Sequence, residues 1–256
     1  MNSMLNRTFK ALCTVAVVTL LSACGSSTTV DPFKPTRVIG LGDARNDMTG
    51  TQYTVRGTVA QVGVPTVVEQ VAILFGVGNT AQSSVATGNS TVAHLNTQVG
   101  NLGALQASDL IVITSGTAEF VAGGSGAAPA YLNSLKTALD TLVSKGARHI
   151  LITPVVDTAV GVNADVVSFN SVVSGGLGQY TNVARIANIE RPEVAFPNWA
   201  TYTNTPYCGA GTAGCNYGAG VGDPALYFLA DSVNPTPAGN RWIAQYLYNV
   251  TAQGWR

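Results

Sequence analysis

Short apolar runs separated by longer helix-like stretches constrain this chain more than any other feature. The runs cover residues 37–41, 71–75, 110–114, 149–153 and, more weakly, 183–189. The helix-like stretches lie near 90–105, 130–145, 166–177 and 237–250. In the second of these, Leu132, Leu135, Leu139 and Leu142 fall on one face, and Gly146 follows where a helix cap is expected. Apolar strands alternating with helices predict a parallel sheet covered on both faces. A length of 256 residues allows one domain or two small ones. The sequence has no internal repeat and no second domain boundary. Only 10% of residues are charged, too few for a coiled coil or a solvated disordered chain. Thirteen Lys and Arg against thirteen Asp and Glu leave no basic excess, so a partner bound through its phosphates, such as nucleic acid, is not expected.

The N-terminus predicts an address. Arg7 and Lys10 precede an apolar run over residues 11–21, which is short for a bilayer span. Leu21-Ser22-Ala23-Cys24 follows, and then Gly25. This resembles a bacterial lipoprotein signal, in which the Cys is acylated and becomes the mature N-terminus. The alternatives are an ordinary signal peptide or a membrane anchor. The resemblance implies a signal peptide over 1–23, a Ser/Thr-rich tether over 24–35 and a domain over 36–256. It also implies an outer-membrane protein, since Gly25 is not Asp. Loss of residues 1–23 removes Arg7 and Lys10, leaving eleven basic and thirteen acidic residues. Cys208 and Cys215 remain, separated by a Gly-rich spacer. In an oxidising compartment the pair reads as a disulfide; a zinc site is the rival, with no His nearby. The segment 197–223, with Tyr202, Tyr207 and Tyr217, reads as an extended surface loop.

Three segments together carry a family resemblance. The first is Gly40-Leu41-Gly42-Asp43-Ala44-Arg45-Asn46-Asp47. The second is the apolar run 109–114 followed by Ser115-Gly116-Thr117-Ala118-Glu119-Phe120. The third is Asp231-Ser232-Val233-Asn234-Pro235-Thr236, leading into a helix. In order and approximate spacing they resemble the Gly-Asp-Ser-Leu, Gly-X-Asn-Asp and Asp-X-X-His-Pro blocks of the GDSL esterases and lipases, in the SGNH hydrolase superfamily. The resemblance implies a three-layer α/β/α sandwich around a five-stranded parallel sheet of flavodoxin-like order. It also implies a site of known composition. Ala44 falls where the family has its Ser nucleophile, Asn234 where it has the His base, and Ala118 where it has the oxyanion Asn. Asp231 is the surviving triad position. The backbone N–H groups of Ala44 and Gly78 are the remaining oxyanion donors, although Gly76-Val77-Gly78-Asn79 allows two registers.

A methyl group cannot attack a carbonyl, and a carboxamide does not accept a proton near neutral pH. The expectation is a hydrolase-like protein that has lost its chemistry and binds an acyl, glycan or envelope-protein ligand as a monomer. It would be attached to the membrane through acylated Cys24, with no cofactor and no metal. Two other readings stay open. One is an ester hydrolase acting through displaced residues, with Ser115, Thr117 and Thr49 as hydroxyl candidates. The other is a structural envelope lipoprotein without a ligand. His94 and His149 read as structural. Asp43, Asp47, Gly116, Glu119 and Arg45 are expected around the pocket. Arg45 either faces solvent or reaches across the site to neutralise carboxylates.

Overall fold

The structure is a computed structural model that describes residues 33–48, 65–88, 90–156, 163–189, 207, 226–230 and 234–255. All of them lie in one unit, Phe33–Trp255. Its centre is a parallel sheet of β1 (Arg37–Gly42), β2 (Gln82–Ser84), β3 (Asp109–Thr114), β4 (His149–Thr153) and β5 (Ala184–Ile186). The spatial order is β2-β1-β3-β4-β5. The chain moves outward from β1 to β2 and then returns to the other side at β3. That reversal opens a crevice beyond the C-terminal ends of β1 and β3, where sheets of this kind bind ligands.

The helices are α1 (Val67–Leu74), α2 (Val92–Asn101), α3 (Thr117–Gly123), α4 (Ala128–Ser144), α5 (Ala164–Gly176) and α6 (Pro237–Gly254). They form two layers. Ile39, Leu41, Ile111, Ile113, Ile150 and Ile152 point into a core shared with Leu95 of α2, Leu135 and Leu139 of α4, and Phe169 of α5. Val38, Leu110, Val112 and Leu151 point the other way, onto Val68 and Val71 of α1 and Ile243 and Leu247 of α6. Successive strand residues face opposite sides. With an apolar layer on both sides, β3 and β4 have no polar face, and their sequences read as unbroken apolar runs.

One predicted strand is a helix. Residues 71–75 belong to the end of α1, where Val67, Val68, Val71 and Ala72 make a buried stripe at helical spacing. The start of α1 is set by Thr66 and Glu69: the Glu69 Oε2 accepts from Thr66 N and Thr66 Oγ1, both at 2.8 Å. The strand is instead Gln82–Ser84, at the sheet edge. It is polar because it has one neighbour and little to bury, so no apolar run announces it.

The N-terminal edge of the sheet carries a ring cluster. His149 stacks on Phe33 with centroids 3.7 Å apart, and meets Trp255 edge-on at 4.9 Å. Its Nδ1 lies 2.9 Å from the Ala107 carbonyl. Burial lowers the His149 pKa below its ordinary value, against that hydrogen bond and with help from Arg185. The unfolded chain therefore binds a proton more readily than the folded one. Stability from this group is complete above about pH 6.5 and falls as the pH drops toward the lowered value. The melting temperature should decline between pH 7 and pH 5, and His149→Phe should flatten that decline. An equal slope in the variant would remove His149 from the account.

Candidate functional site

The site begins at Gly42, whose φ is +102°. A Cβ there would lie 1.9 Å from the Thr114 carbonyl oxygen, so only glycine lets the ends of β1 and β3 approach this closely. Gln98 of α2 fixes the same peptide: Gly42 N donates to its Oε1 at 2.7 Å, and its Nε2 donates to Gly42 O at 3.0 Å. The chain then makes a 3-10 turn, Ala44–Asn46, with the Asp43 carboxylate accepting from Arg45 N at 3.1 Å. Asn46 donates from Nδ2 to Leu41 O and Val112 O, both at 2.9 Å, and ties the turn to the sheet.

Arg45 folds inward. It is 4% exposed and Asp43 is 8% exposed. Its Nε donates to Asp43 Oδ1 at 3.0 Å and its Nη2 to Asp43 Oδ2 at 2.6 Å. Nη2 also reaches Thr117 Oγ1 at 3.2 Å, and Nη1 reaches Pro154 O at 3.3 Å. One guanidinium thus joins the segments that follow β1, β3 and β4. Thr114 Oγ1 adds a donor to Asp43 Oδ1 at 2.8 Å, so protein donors already engage both carboxylate oxygens. The pair is neutral as a unit and well hydrogen-bonded, which is what a buried ion pair requires.

Above this pair lies a cleft of about 300 Å³. Asp43, Ala44 and Arg45 line it from the turn after β1, Thr117, Ala118 and Val121 from α3, Ser90 from the approach to α2, and Asn234 from the segment before α6. All three sequence blocks therefore meet at one cavity. Val121 stands at its edge, 70% exposed. The Asn234 carbonyl accepts from Ala230 N at 2.7 Å.

Several expected site residues have other work. Gly78 precedes β2, at the N-terminal side of that strand, and does not line the cleft. Gly88 follows β2 on the cleft side instead, and its N–H donates to Asp47 Oδ2 at 3.2 Å. The wrong strand assignment explains the misplacement: with residues 71–75 taken as the strand, Gly78 would have stood after it. Asp47 is thus a loop brace, fully buried. Glu119 does not line the cavity either; its Oε1 accepts from Val92 N at 2.7 Å and caps α2. Gly116 starts α3 in the left-handed region, with φ +100°.

The hydroxyl candidates differ in access. Ser115 is buried, 2.7 Å from the Tyr131 hydroxyl. Burial pushes the Tyr131 pKa well up, so that group stays protonated. Thr117 lines the cleft and accepts from Arg45. His94 faces Thr91 at the start of α2, with Nδ1 3.3 Å from Thr91 Oγ1 and 3.2 Å from Thr91 N, a capping geometry. His149 lies at the opposite sheet edge. Tyr207 is buried rather than on the surface, against Tyr227 at 5.3 Å. Asp231, Cys24, Cys208, Cys215, Thr49, Tyr202 and Tyr217 lie outside the described residues. Ser90 and Val121 had no motif to reveal them; neighbouring blocks in space bring them to the cleft. Among the described residues, no group of His, Cys, Asp and Glu is placed to hold a metal ion.

No family model matches the chain, and no curated protein matches it by sequence. Solved structures do match. A lipolytic G-D-S-L family protein from Veillonella parvula aligns over 85% of this chain and 98% of its own, with a TM-score of 0.53 and 13% identity. The fold is that of the SGNH hydrolases. A catalytic mutant of an acetylxylan esterase from Geobacillus stearothermophilus aligns over 86% of this chain and 95% of its own, with a TM-score of 0.51 and 14% identity. The SGNH-type sheet places the cleft where the crossover predicts, at the C-terminal ends of β1 and β3.

Proposed function

We propose that this chain is a lipid-anchored envelope protein whose SGNH-type cleft binds an uncharged ligand without cleaving it. The observation that carries the reading is the content of the cleft. Ala44, Ala118 and Asn234 meet there, at the positions where the resemblance puts the nucleophile, the oxyanion amide and the base. An ester bound there would face a methyl group, a methyl group and a carboxamide, none of which attacks or takes a proton. Arg45 beneath them is matched by Asp43, so the floor selects against neither sign strongly and favours a neutral guest. An acyl chain, a glycan or an envelope partner fits that description. One structural neighbour is an acetylxylan esterase, so acetylated glycans come first among ligands to try.

The test is turnover of short-chain nitrophenyl esters together with binding of acetylated xylan oligosaccharides. No turnover with measurable binding is expected. Ordinary esterase turnover would overturn the reading. Two hydroxyl contacts bear on the displaced-residue hydrolase: Thr91 Oγ1 with His94 Nδ1 at 3.3 Å, a helix-cap contact that does not line the cleft, and the Thr114 hydroxyl 2.8 Å from Asp43. That hydroxyl is fully buried on β3 and donates to a carboxylate already held by Arg45, which disfavours it as a nucleophile.

Two further expectations rest on the sequence. Cys24→Ser should release the protein from membranes or stall its processing; unchanged membrane association would remove the anchor. Mass analysis of unreduced mature protein should find Cys208 and Cys215 joined, and two free thiols would refute the pairing.

A further inference from the structure

Among the described residues, most basic side chains gather at one end of the domain and most acids at the other. Lys34 and Arg37 stand before and at the start of β1, and Arg148 immediately precedes β4. Lys145 ends α4 beside it and donates from Nζ to Gly100 O at 3.1 Å. Arg185 on β5 lies 5.5 Å over the Trp255 ring. Those five belong to the N-terminal edge of the sheet, out of eight Lys and Arg among the described residues. The acids toward that edge among the described residues are Asp109, buried and paired with Arg37 at 2.5 Å, and Asp140 near the end of α4, which accepts from the Tyr180 hydroxyl at 2.6 Å, so the basic residues outnumber them. Asp43, Asp47, Glu69, Glu119 and Asp165 all sit at the other edge, after strands or in first helical turns. Helix dipoles account for the acids in first turns and for Lys145. They do not account for Lys34, Arg37, Arg148 or Arg185, which lie outside helices.

The same basic edge holds the beginning of the described chain. Phe33 is gripped there by His149, Trp255 and, at 6.5 Å, Phe75. Phe33 comes nine residues after Cys24. Nine residues cannot span more than about 30 Å even when fully extended.

We infer that the N-terminal sheet edge, centred on Lys34, Arg37, Arg148 and Arg185, docks on an anionic lipid surface and leaves the cleft facing water. The inference rests on the acyl anchor at Cys24, which would deliver this edge to the headgroups first. A basic cluster gains affinity for anionic headgroups by about fivefold per residue near the surface, and loses it in salt. The ligand of the cleft would then arrive through the aqueous phase rather than from the bilayer that carries the anchor.

The test uses the full acylated chain with vesicles of phosphatidylcholine alone, or with about a third phosphatidylglycerol. Flotation and amide hydrogen exchange are both read. The expected result is flotation on both vesicles. Slower exchange should appear over segments 34–37 and 145–148 only with phosphatidylglycerol, and 0.5 M salt should abolish it. Segments 90–92 and 116–121, around the cleft, should exchange equally in both. Lys34→Glu with Arg148→Glu should lose the phosphatidylglycerol effect while keeping flotation. Equal exchange on both vesicles, or protection at the cleft segments, would overturn the docking surface. Flotation only with phosphatidylglycerol would keep the surface and reject the anchor. No flotation on either would reject both.

Discussion

Asp43→Ala is expected to destabilise the domain by about 3 kcal/mol or more. The variant strips the partner from a guanidinium that is 4% exposed, and leaves Arg45 with only Thr117 Oγ1 and Pro154 O as acceptors. A buried charge without its counter-charge is among the few single changes that cost this much. Thr114 would also lose the acceptor it now reaches at 2.8 Å. Asp43→Ala with Arg45→Leu should recover much of the loss, because removing both charges leaves no orphan. Denaturant unfolding of the two single variants and the double gives the coupling directly. A loss under about 1 kcal/mol in Asp43→Ala would mean that water reaches Arg45 freely through the cleft. The pair would then be a surface ion pair in its energetics, despite its burial.

Rebuilding the chemistry is the other large effect. Ala44→Ser alone should give almost no esterase activity, because a hydroxyl without a base is a weak nucleophile. Asn234→His alone offers a base with nothing to activate. Together they should raise the rate on short-chain esters by about 10²–10⁴-fold over either single variant, with strong non-additivity. Both positions line the same cleft, so the two new side chains would share one cavity. Ala118→Asn should add to it by returning an oxyanion donor. Arg45 complicates the design: its guanidinium is tied to Asp43, Thr117 and Pro154, in the floor directly beside Ala44. If the pair is silent, adding Arg45→Leu tests whether the guanidinium blocks the approach. Should the unmodified protein already cleave esters with ordinary turnover, and Asp231→Ala leave that rate unchanged, the activity would lie elsewhere on the molecule.

Much of the fold is legible in the chain because its central strands are buried on both faces. Residues 110–113 and 150–152 show an unbroken apolar run that a half-exposed strand would not carry, and Leu132, Leu135, Leu139 and Leu142 mark α4 by their spacing. Order along the chain suffices to predict a parallel sheet, since parallel neighbours need crossovers and the helices supply them. That Ala44, Ala118 and Asn234 come together is foreshadowed too, because the blocks that hold them follow β1, follow β3 and precede α6, all at one end of the sheet. What the sequence could not determine is which side chains share a space. Edge strand Gln82–Ser84 has no apolar signal, whereas the apolar run 71–75 reads as a strand with Gly78 after it, although in the fold it closes α1. Arg45 could face solvent or the cleft on sequence grounds. Only the convergence of Asp43, Thr117 and Pro154 from three strand ends gives the guanidinium enough acceptors to be buried. The same applies to the sorted charges: Lys34, Arg148 and Arg185 are far apart in the chain, and a parallel sheet brings them to one edge because it aligns the start of every strand.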